Sequence, residues 1–184
     1  MTNSSSSEVS EVVIDNDSVV SGMFDNPDSA ERAYTSLHDR GYTNSDINVV
    51  MSDETRQKHF AQKGATEIGT KAMSGAGTGS AIGGTIGAIA GAVAAIGTSL
   101  LIPGLGIIIA GPIAAGLAGA GAGSIAGGII GALSGSGITE ARAKVYETGI
   151  KSGKVVIAVK PKNVEDADYI ESTWQTHNGQ EIYR

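Results

Sequence analysis

The pattern of apolar and polar positions predicts two short mixed segments on either side of one long apolar segment. In the first mixed segment, residues 18–24 and 47–51 have the composition of strands. Apolar side chains between them recur at the spacing of one helix face, at Ala30, Ala33, Tyr34 and Leu37. Pro27 stands at the expected first helical position and Gly41 at the expected end. We therefore predict a β-α-β unit, followed by a polar, weakly helical connector over 52–71.

After the apolar segment, the pattern predicts the order α-β-α and a short final strand. Thr139 can cap a helix over 140–151, and residues 154–159 form the strongest strand pattern in the chain. Asn163 can cap a further helix with the inner face Ala167, Ile170 and Trp174. Gly179 would end that helix, and residues 181–183 would add an edge strand. Neither half can bury a core alone, so we predict one α+β domain of split ferredoxin-like type (β-α-β … α-β-α-β).

Charge sharpens this division of the chain. The protein has 184 residues and a formal net charge of −6, yet no Asp, Glu, Lys or Arg lies between Lys71 and Glu140. Acids outnumber bases before this gap and equal them after it, which argues against nucleic acid as a partner. The predicted regions are a disordered Ser-rich tail at 1–17, the first domain half with its connector at 18–71, an inserted glycine-zipper helical hairpin at 72–138, and the second domain half at 139–184.

Glycine spacing gives the apolar segment its predicted structure. Glycines recur every fourth residue in two ladders, so that on a helix each ladder would lie on one face and allow close helix packing. The predicted helix-packing residues are Gly75, Gly79, Gly83, Gly87 and Gly91 in the first ladder, and Gly119, Gly123, Gly127, Gly131 and Gly135 in the second. The tightest packing is expected near the middle of each ladder.

A chain reversal is predicted over 97–106, between two helices of roughly 23 to 30 residues, each longer than the roughly 20 residues that span a bilayer. Pro112 either kinks a second helix that begins near Leu105 or is the first residue of a shorter helix. Cationic residues flank the segment on both sides, at Lys63, Lys71, Arg142 and Lys144, as for a hairpin with both ends in the cytoplasm. The alternatives are the shared core of a soluble helical assembly and a disordered low-complexity segment.

Candidate chemistry is sparse. The glycine-rich stretches 75–84 and 119–128 lack the Gly-Lys-Ser/Thr ending and the preceding strand of a phosphate-binding loop. His38, His59 and His177 have no metal-ligand spacing, and the chain has no Cys. Four acids near helix and strand ends are interpreted as capping or turn residues: Asp25, Asp28, Asp53 and Glu54. Tyr34 and Trp174 are interpreted as core residues. We predict no catalytic site, no metal and no cofactor.

Three stretches carry a resemblance to a known group: residues 19–56, the glycine-rich segment with SLLIPGLG, and residues 137–159. Over about 18–178 the chain resembles bacterial general-stress or low-temperature-induced proteins with a glycine-zipper segment. The resemblance implies a small stress-linked protein that is membrane-associated or self-assembling. It implies no enzymatic activity and no functional residues.

The expected function is therefore non-enzymatic: a stress-associated protein that inserts its hairpin in membrane lipid and forms a homo-oligomer through it. We expect it in the bacterial inner membrane, with the α+β domain and both termini in the cytoplasm. The alternatives are a soluble cytoplasmic assembly, such as a shell or filament, and a sensory module for an unknown small-molecule ligand.

Overall fold

The computed structural model describes residues 19–60, 89, 100–102, 105–115 and 128–184. The strands are β1 (Val20–Phe24), β2 (Ile47–Ser52), β3 (Leu100–Ile102), β4 (Ile107–Ala110), β5 (Val155–Val159) and β6 (Gln180–Tyr183). The helices are α1 (Pro27–Asp39), α2 (Asp53–Thr55, continued by a π-helical turn over Arg56–Phe60), α3 (Gly128–Ser134), α4 (Glu140–Lys151) and α5 (Val164–Thr176). Residues 112–115 are also helical.

The six strands form one antiparallel sheet in the order β3-β4-β2-β5-β1-β6. The predicted α+β class is thus confirmed. β5 lies at the centre, where Val159 pairs with Val20 of β1 and with Ile47 of β2. The chain halves before and after the apolar segment therefore meet strand against strand in the middle of the sheet.

Both faces of the sheet are covered by helices, which explains why β1, β4 and β5 are buried along their whole length. On the first face, alternate strand residues such as Val49, Met51 and Ile157 pack with side chains of α1 and α5. On the second face, their neighbours Val50 and Val156 pack with side chains of α3, α4 and the helical turn at 112–115. The sheet thus separates two apolar cores.

The predicted helix ends follow from local side chains. Asn26 is the N-cap of α1 and its side chain accepts a hydrogen bond from the Ser29 N–H at 2.8 Å, with Pro27 as the first helical residue. Asn163 caps α5 in the same way, through the Asp166 N–H at 2.8 Å. Gly41 follows α1 with φ of 87°, the left-handed conformation that glycine adopts most readily.

The described part of the predicted reversal over 97–106 belongs to a β-hairpin. β3 and β4 pair with each other, and β4 pairs with β2, so that the middle of the apolar segment belongs to the sheet. A helix beginning near Leu105 is therefore wrong, because Ile107, Ile108 and Ile109 are β-branched and fill a buried strand. The alternative, that Pro112 is the first residue of a helix, agrees with the structure.

Candidate functional site

Most of the predicted helix-packing glycines lie outside the described residues. These are Gly75, Gly79, Gly83, Gly87, Gly91, Gly119, Gly123 and Gly127. The structure places the last two members of the second ladder near each other: Gly131 lies within α3, and Gly135 lies in the turn that follows it. Gly131 is therefore the one ladder glycine that the described residues place within a helix.

The second ladder does not lie on one continuous helix. Gly128, the first described residue of α3, has φ of 63°, which a residue inside a right-handed helix does not adopt. At its other end α3 stops at Ser134, so Gly135 is no longer helical. Among the described members of the second ladder, Gly131 is therefore helical and Gly135 is not.

Gly131 faces outward from the sheet. Its helix neighbours Ala132 and Leu133 are buried in the second core, whereas an ideal Cβ on Gly131 would have no described atom within 4 Å. Beside Gly131 lies an open groove of about 710 Å³, formed where α3 turns into α4. We call it the α3–α4 groove, and it is lined by Ile130, Gly131, Ser134, Gly137, Ile138, Thr139 and Glu140.

The apolar segment is fixed to the sheet where it leaves β4. The backbone N–H of Ile113 donates a hydrogen bond of 2.8 Å to Oδ1 of Asn48, a buried residue of β2. Gly111 has φ of 104°, and a Cβ there would stand 2.2 Å from the Ile47 carbonyl oxygen. A side chain of one strand thus caps a helical turn by accepting an N–H 65 positions later in sequence.

A second attachment lies on the opposite face. The Ile89 side chain is fully buried in the first core, and its N–H donates a 3.1 Å hydrogen bond to Oε2 of Glu31 on α1. Ile89 falls between two glycines of the first ladder, Gly87 and Gly91. Part of the apolar segment is therefore core material of the α+β domain.

Among the described residues, the densest polar cluster joins the end of α1 to the start of α5. The Asp166 carboxylate accepts hydrogen bonds from Nε of Arg40 at 2.7 Å and from the Tyr42 hydroxyl at 2.8 Å. Burial acts to raise the pKa of Asp166, but the hydrogen bonds from Arg40 and Tyr42 outweigh it and leave that pKa below its usual range. Burial also raises the pKa of the Tyr42 hydroxyl to about 12. The Lys162 N–H donates to the same hydroxyl at 3.0 Å, so the cluster's groups bond to one another.

Four of the other residues singled out from the sequence have structural contacts. Tyr34 and Trp174 are buried core residues, as predicted. Asp25 pairs with Nζ of Lys154 at 2.6 Å, and Asp53 pairs with Arg56 at 2.9 Å. Within the described ranges, no three His, Asp or Glu side chains are grouped so that they could hold a metal ion.

Sequence reasoning missed Asn48, Gly111 and Glu31. An Asn or a Glu on an otherwise regular strand or helix gives no signal of a partner dozens of residues away. Gly111 was hidden among many glycines, although the pair Gly111-Pro112 is a turn signal.

None of the helices in the described ranges has the length and apolar character needed to cross a membrane. Comparison of the chain with protein-family models, characterised proteins and solved structures gives no match.

Proposed function

We propose that this protein is a non-enzymatic structural protein that associates with copies of itself through its glycine-rich apolar segment. The observation that carries this proposal is the environment of Gly131, a ladder glycine that faces an open groove while its neighbours Ala132 and Leu133 are buried. A helix surface without a side chain lets a second backbone approach closely and gain dispersion contact. The stress association comes from the family resemblance alone.

The polar contacts support a non-enzymatic role. Asp166, the buried acid of the densest polar cluster, is bonded to Arg40 and Tyr42 within the α1–α5 contact. The α3–α4 groove has one ionisable side chain, Glu140, which is exposed and lies 3.4 Å from Nζ of Lys144. These groups stabilise the fold, and a positioned acid–base pair would require a different arrangement.

For the fold we propose a ferredoxin-like core. Its support is the partial order β2-β5-β1-β6, with α1 connecting β1 to β2 and α5 connecting β5 to β6. The β3–β4 hairpin and helices α3 and α4 would then be additions supplied by the long insertion between β2 and β5.

Two environments are open to the assembly. Membrane lipid is favoured by the charge-free stretch and its flanking cations, and it would place the protein at the bacterial inner membrane with the α+β domain and both termini in the cytoplasm. A cytoplasmic assembly with a shared helical core is favoured by a different observation. Ile89, β3 and β4 all belong to the apolar segment, and all of them contribute to the domain itself.

Mass measurement of the full chain tests self-association, and flotation separates the two environments. We expect oligomers in light scattering or sedimentation, in buffer or in mild detergent. Flotation with phosphatidylethanolamine–phosphatidylglycerol vesicles, followed by carbonate washing, would place the protein in lipid if it stays bound. A particle that sediments without lipid would favour the cytoplasmic assembly.

Paired substitutions test the ladders. Gly87→Leu and Gly127→Leu place a side chain on the predicted packing faces and should lower the oligomer mass. Gly84→Leu, which adjoins the first ladder without belonging to it, is the control and should leave the mass unchanged. A full chain that is monomeric in buffer, in detergent and on vesicles contradicts the proposed function.

A further inference from the structure

The turn between α5 and β6 contains the one Asn-Gly pair in the sequence, at Asn178 and Gly179. Asparagine deamidates when the backbone nitrogen of the next residue attacks its side-chain amide, and glycine has no side chain to hinder that attack. Asn26 precedes a proline, which has no N–H, whereas Asn48 and Asn163 precede β-branched valines. Asn178 thus has the least hindered neighbour of any asparagine in the chain.

The geometry of the turn requires both members of this pair. Asn178 has φ of 59°, a left-handed conformation that asparagine and glycine adopt most readily after a helix. A Cβ at Gly179 would stand 2.8 Å from the Trp174 carbonyl oxygen and 3.1 Å from Cε1 of Phe24. No larger residue fits at position 179 without movement of this packing, so the turn itself leads to a chemically labile dipeptide.

The same turn protects the pair while it is closed. The Asn178 N–H donates to the Gln175 carbonyl at 3.1 Å, and the Gly179 N–H donates to the Trp174 carbonyl at 2.8 Å, which is the Schellman pattern. Deamidation requires the Gly179 nitrogen to lose its proton and to bond to Cγ of Asn178. Because that N–H is held by Trp174, the turn must open before the reaction can begin.

From these observations we infer that Asn178 is a deamidation site that reacts when the α5–β6 turn opens. Asn178 is exposed, so water has access to its amide. The Gly179 nitrogen bonds to Cγ of Asn178, the bond from Cγ to Nδ2 breaks, and Nδ2 leaves as ammonia with the proton that the Gly179 nitrogen loses. Water then opens the cyclic imide and leaves aspartate or isoaspartate at position 178.

Either product opposes reclosure of the turn. Both place a carboxylate at the C-terminal end of α5, where the helix dipole is already negative. Isoaspartate also lengthens the main chain by one carbon just before Gly179, which already lies close to Trp174 and Phe24. β6 begins at the next residue and pairs with β1. Modification therefore marks chains in which this edge of the sheet has opened, and it loosens β6 in those chains.

The test is peptide mapping by mass spectrometry of the full chain after timed incubation at neutral pH, folded in buffer and unfolded in guanidinium chloride. In the unfolded chain, Asn178 should lose its amide before any other asparagine. In the folded chain it should react more slowly by on the order of tenfold or more. Equal rates in the two states overturn the protection by the turn, and a different asparagine reacting first overturns the site.

Asn178→Gly is the control for the assignment. Glycine keeps the left-handed conformation, so the variant should fold as the wild type does and should show no deamidation in the peptide that contains position 178. That peptide also carries Asn163 when the chain is cut only before α5. A signal that persists in the variant would place the reaction at Asn163 and overturn the inference.

Two further variants test which opening exposes Asn178. The Tyr146 hydroxyl donates to the Glu181 carbonyl oxygen of β6 at 2.7 Å, whereas the Tyr34 hydroxyl donates to Oδ1 of Asn44 at 2.8 Å. Tyr146→Phe should speed deamidation of the folded chain several-fold, because β6 loses a bond that holds it, and Tyr34→Phe should leave the rate unchanged. Equal acceleration by both variants, or by neither, overturns gating by the α5–β6 turn.

Discussion

Oδ1 of Asn48 accepts the backbone N–H of Ile113 at 2.8 Å, which ties the second strand to a helical turn inside the apolar segment. Nδ2 of the same side chain donates a hydrogen bond of 3.4 Å to the Ala158 carbonyl oxygen of β5. Asn48 thus bonds to two segments that are distant in sequence. A buried polar side chain with both ends engaged specifies one register for the segments it joins.

Asn48→Ala should destabilise the domain because it leaves the Ile113 N–H without its acceptor. We expect a loss of about 1 to 3 kcal/mol in the free energy of unfolding, measured in urea. Hydrogen exchange at the Ile113 amide should accelerate more than exchange at Ile157 in the central strand. An unchanged Ile113 exchange rate would show that this bond does not hold the turn.

Gly111→Ala and Gly106→Ala form a matched pair. Both glycines have positive φ, but a Cβ at Gly111 would stand 2.2 Å from the Ile47 carbonyl oxygen, whereas a Cβ at Gly106 would have no described atom within 4 Å. We expect Gly106→Ala to cost about 1 to 2 kcal/mol for the left-handed backbone alone. Gly111→Ala should cost about 3 kcal/mol or more, because β2 or β4 must also move. Equal losses in urea unfolding would contradict the close approach.

Gly131→Ala should stabilise the protein. Gly131 lies inside α3 with open space at its Cβ position, so alanine gains helix propensity without a clash. The expected gain is up to about 1 kcal/mol in the free energy of unfolding. Gly149→Ala is the contrast, because a Cβ at Gly149 would contact the Met23 sulfur at 2.0 Å and should destabilise. Destabilisation by Gly131→Ala would mean that the space is filled.

Asp166 should make stability depend on acid pH. Its hydrogen bonds from Arg40 and Tyr42 hold its pKa below the usual range, so the folded protein binds this proton less readily than the unfolded chain. The stabilisation is therefore present above about pH 4 and is lost as the pH falls through the folded-state pKa.

Asp166→Asn should consequently lower the free energy of unfolding by about 2 kcal/mol at neutral pH, and the difference from the wild type should shrink by about pH 3. Asp168→Asn, on the exposed side of α5, is the control and should cost less than about 1 kcal/mol at either pH. If the wild type and Asp166→Asn differ in free energy of unfolding by the same amount at both pH values, the effect comes from packing and not from charge.

Local sequence patterns predicted the two halves of the α+β domain well, because the residues that mark a helix or strand lie within it or next to its ends. Asn26 with Pro27 marked the start of α1, and the spacing of Ala167, Ile170 and Trp174 marked the buried face of α5. The β3–β4 hairpin could not be predicted in the same way. Its isoleucines suit a buried strand and an apolar helix alike, and only pairing with β2 decides between them.

The candidate site shows the same division between local and tertiary information. Spacing identified Gly131 as a possible packing residue, but the open space beside it depends on how α3 turns into α4. The positive φ of Gly128 likewise comes from tertiary structure, since glycine permits that conformation without requiring it.

The pairing of β4 with β2 also limits the routes that the chain can take. Phe60 and Leu100 both belong to the domain, so the stretch 61–99 begins and ends on the same side of any bilayer. The same holds for the stretch 116–127, which connects Ala115 to Gly128. While the sheet is intact, each of these stretches would cross a bilayer an even number of times. The stretch 116–127 is shorter than the roughly 20 residues of a single crossing. Ile89 is also held in the first core, so the longest stretch is 61–88, which is shorter than the roughly 40 residues of a full crossing and return. The stretch 61–88 is therefore the segment to label in lipid.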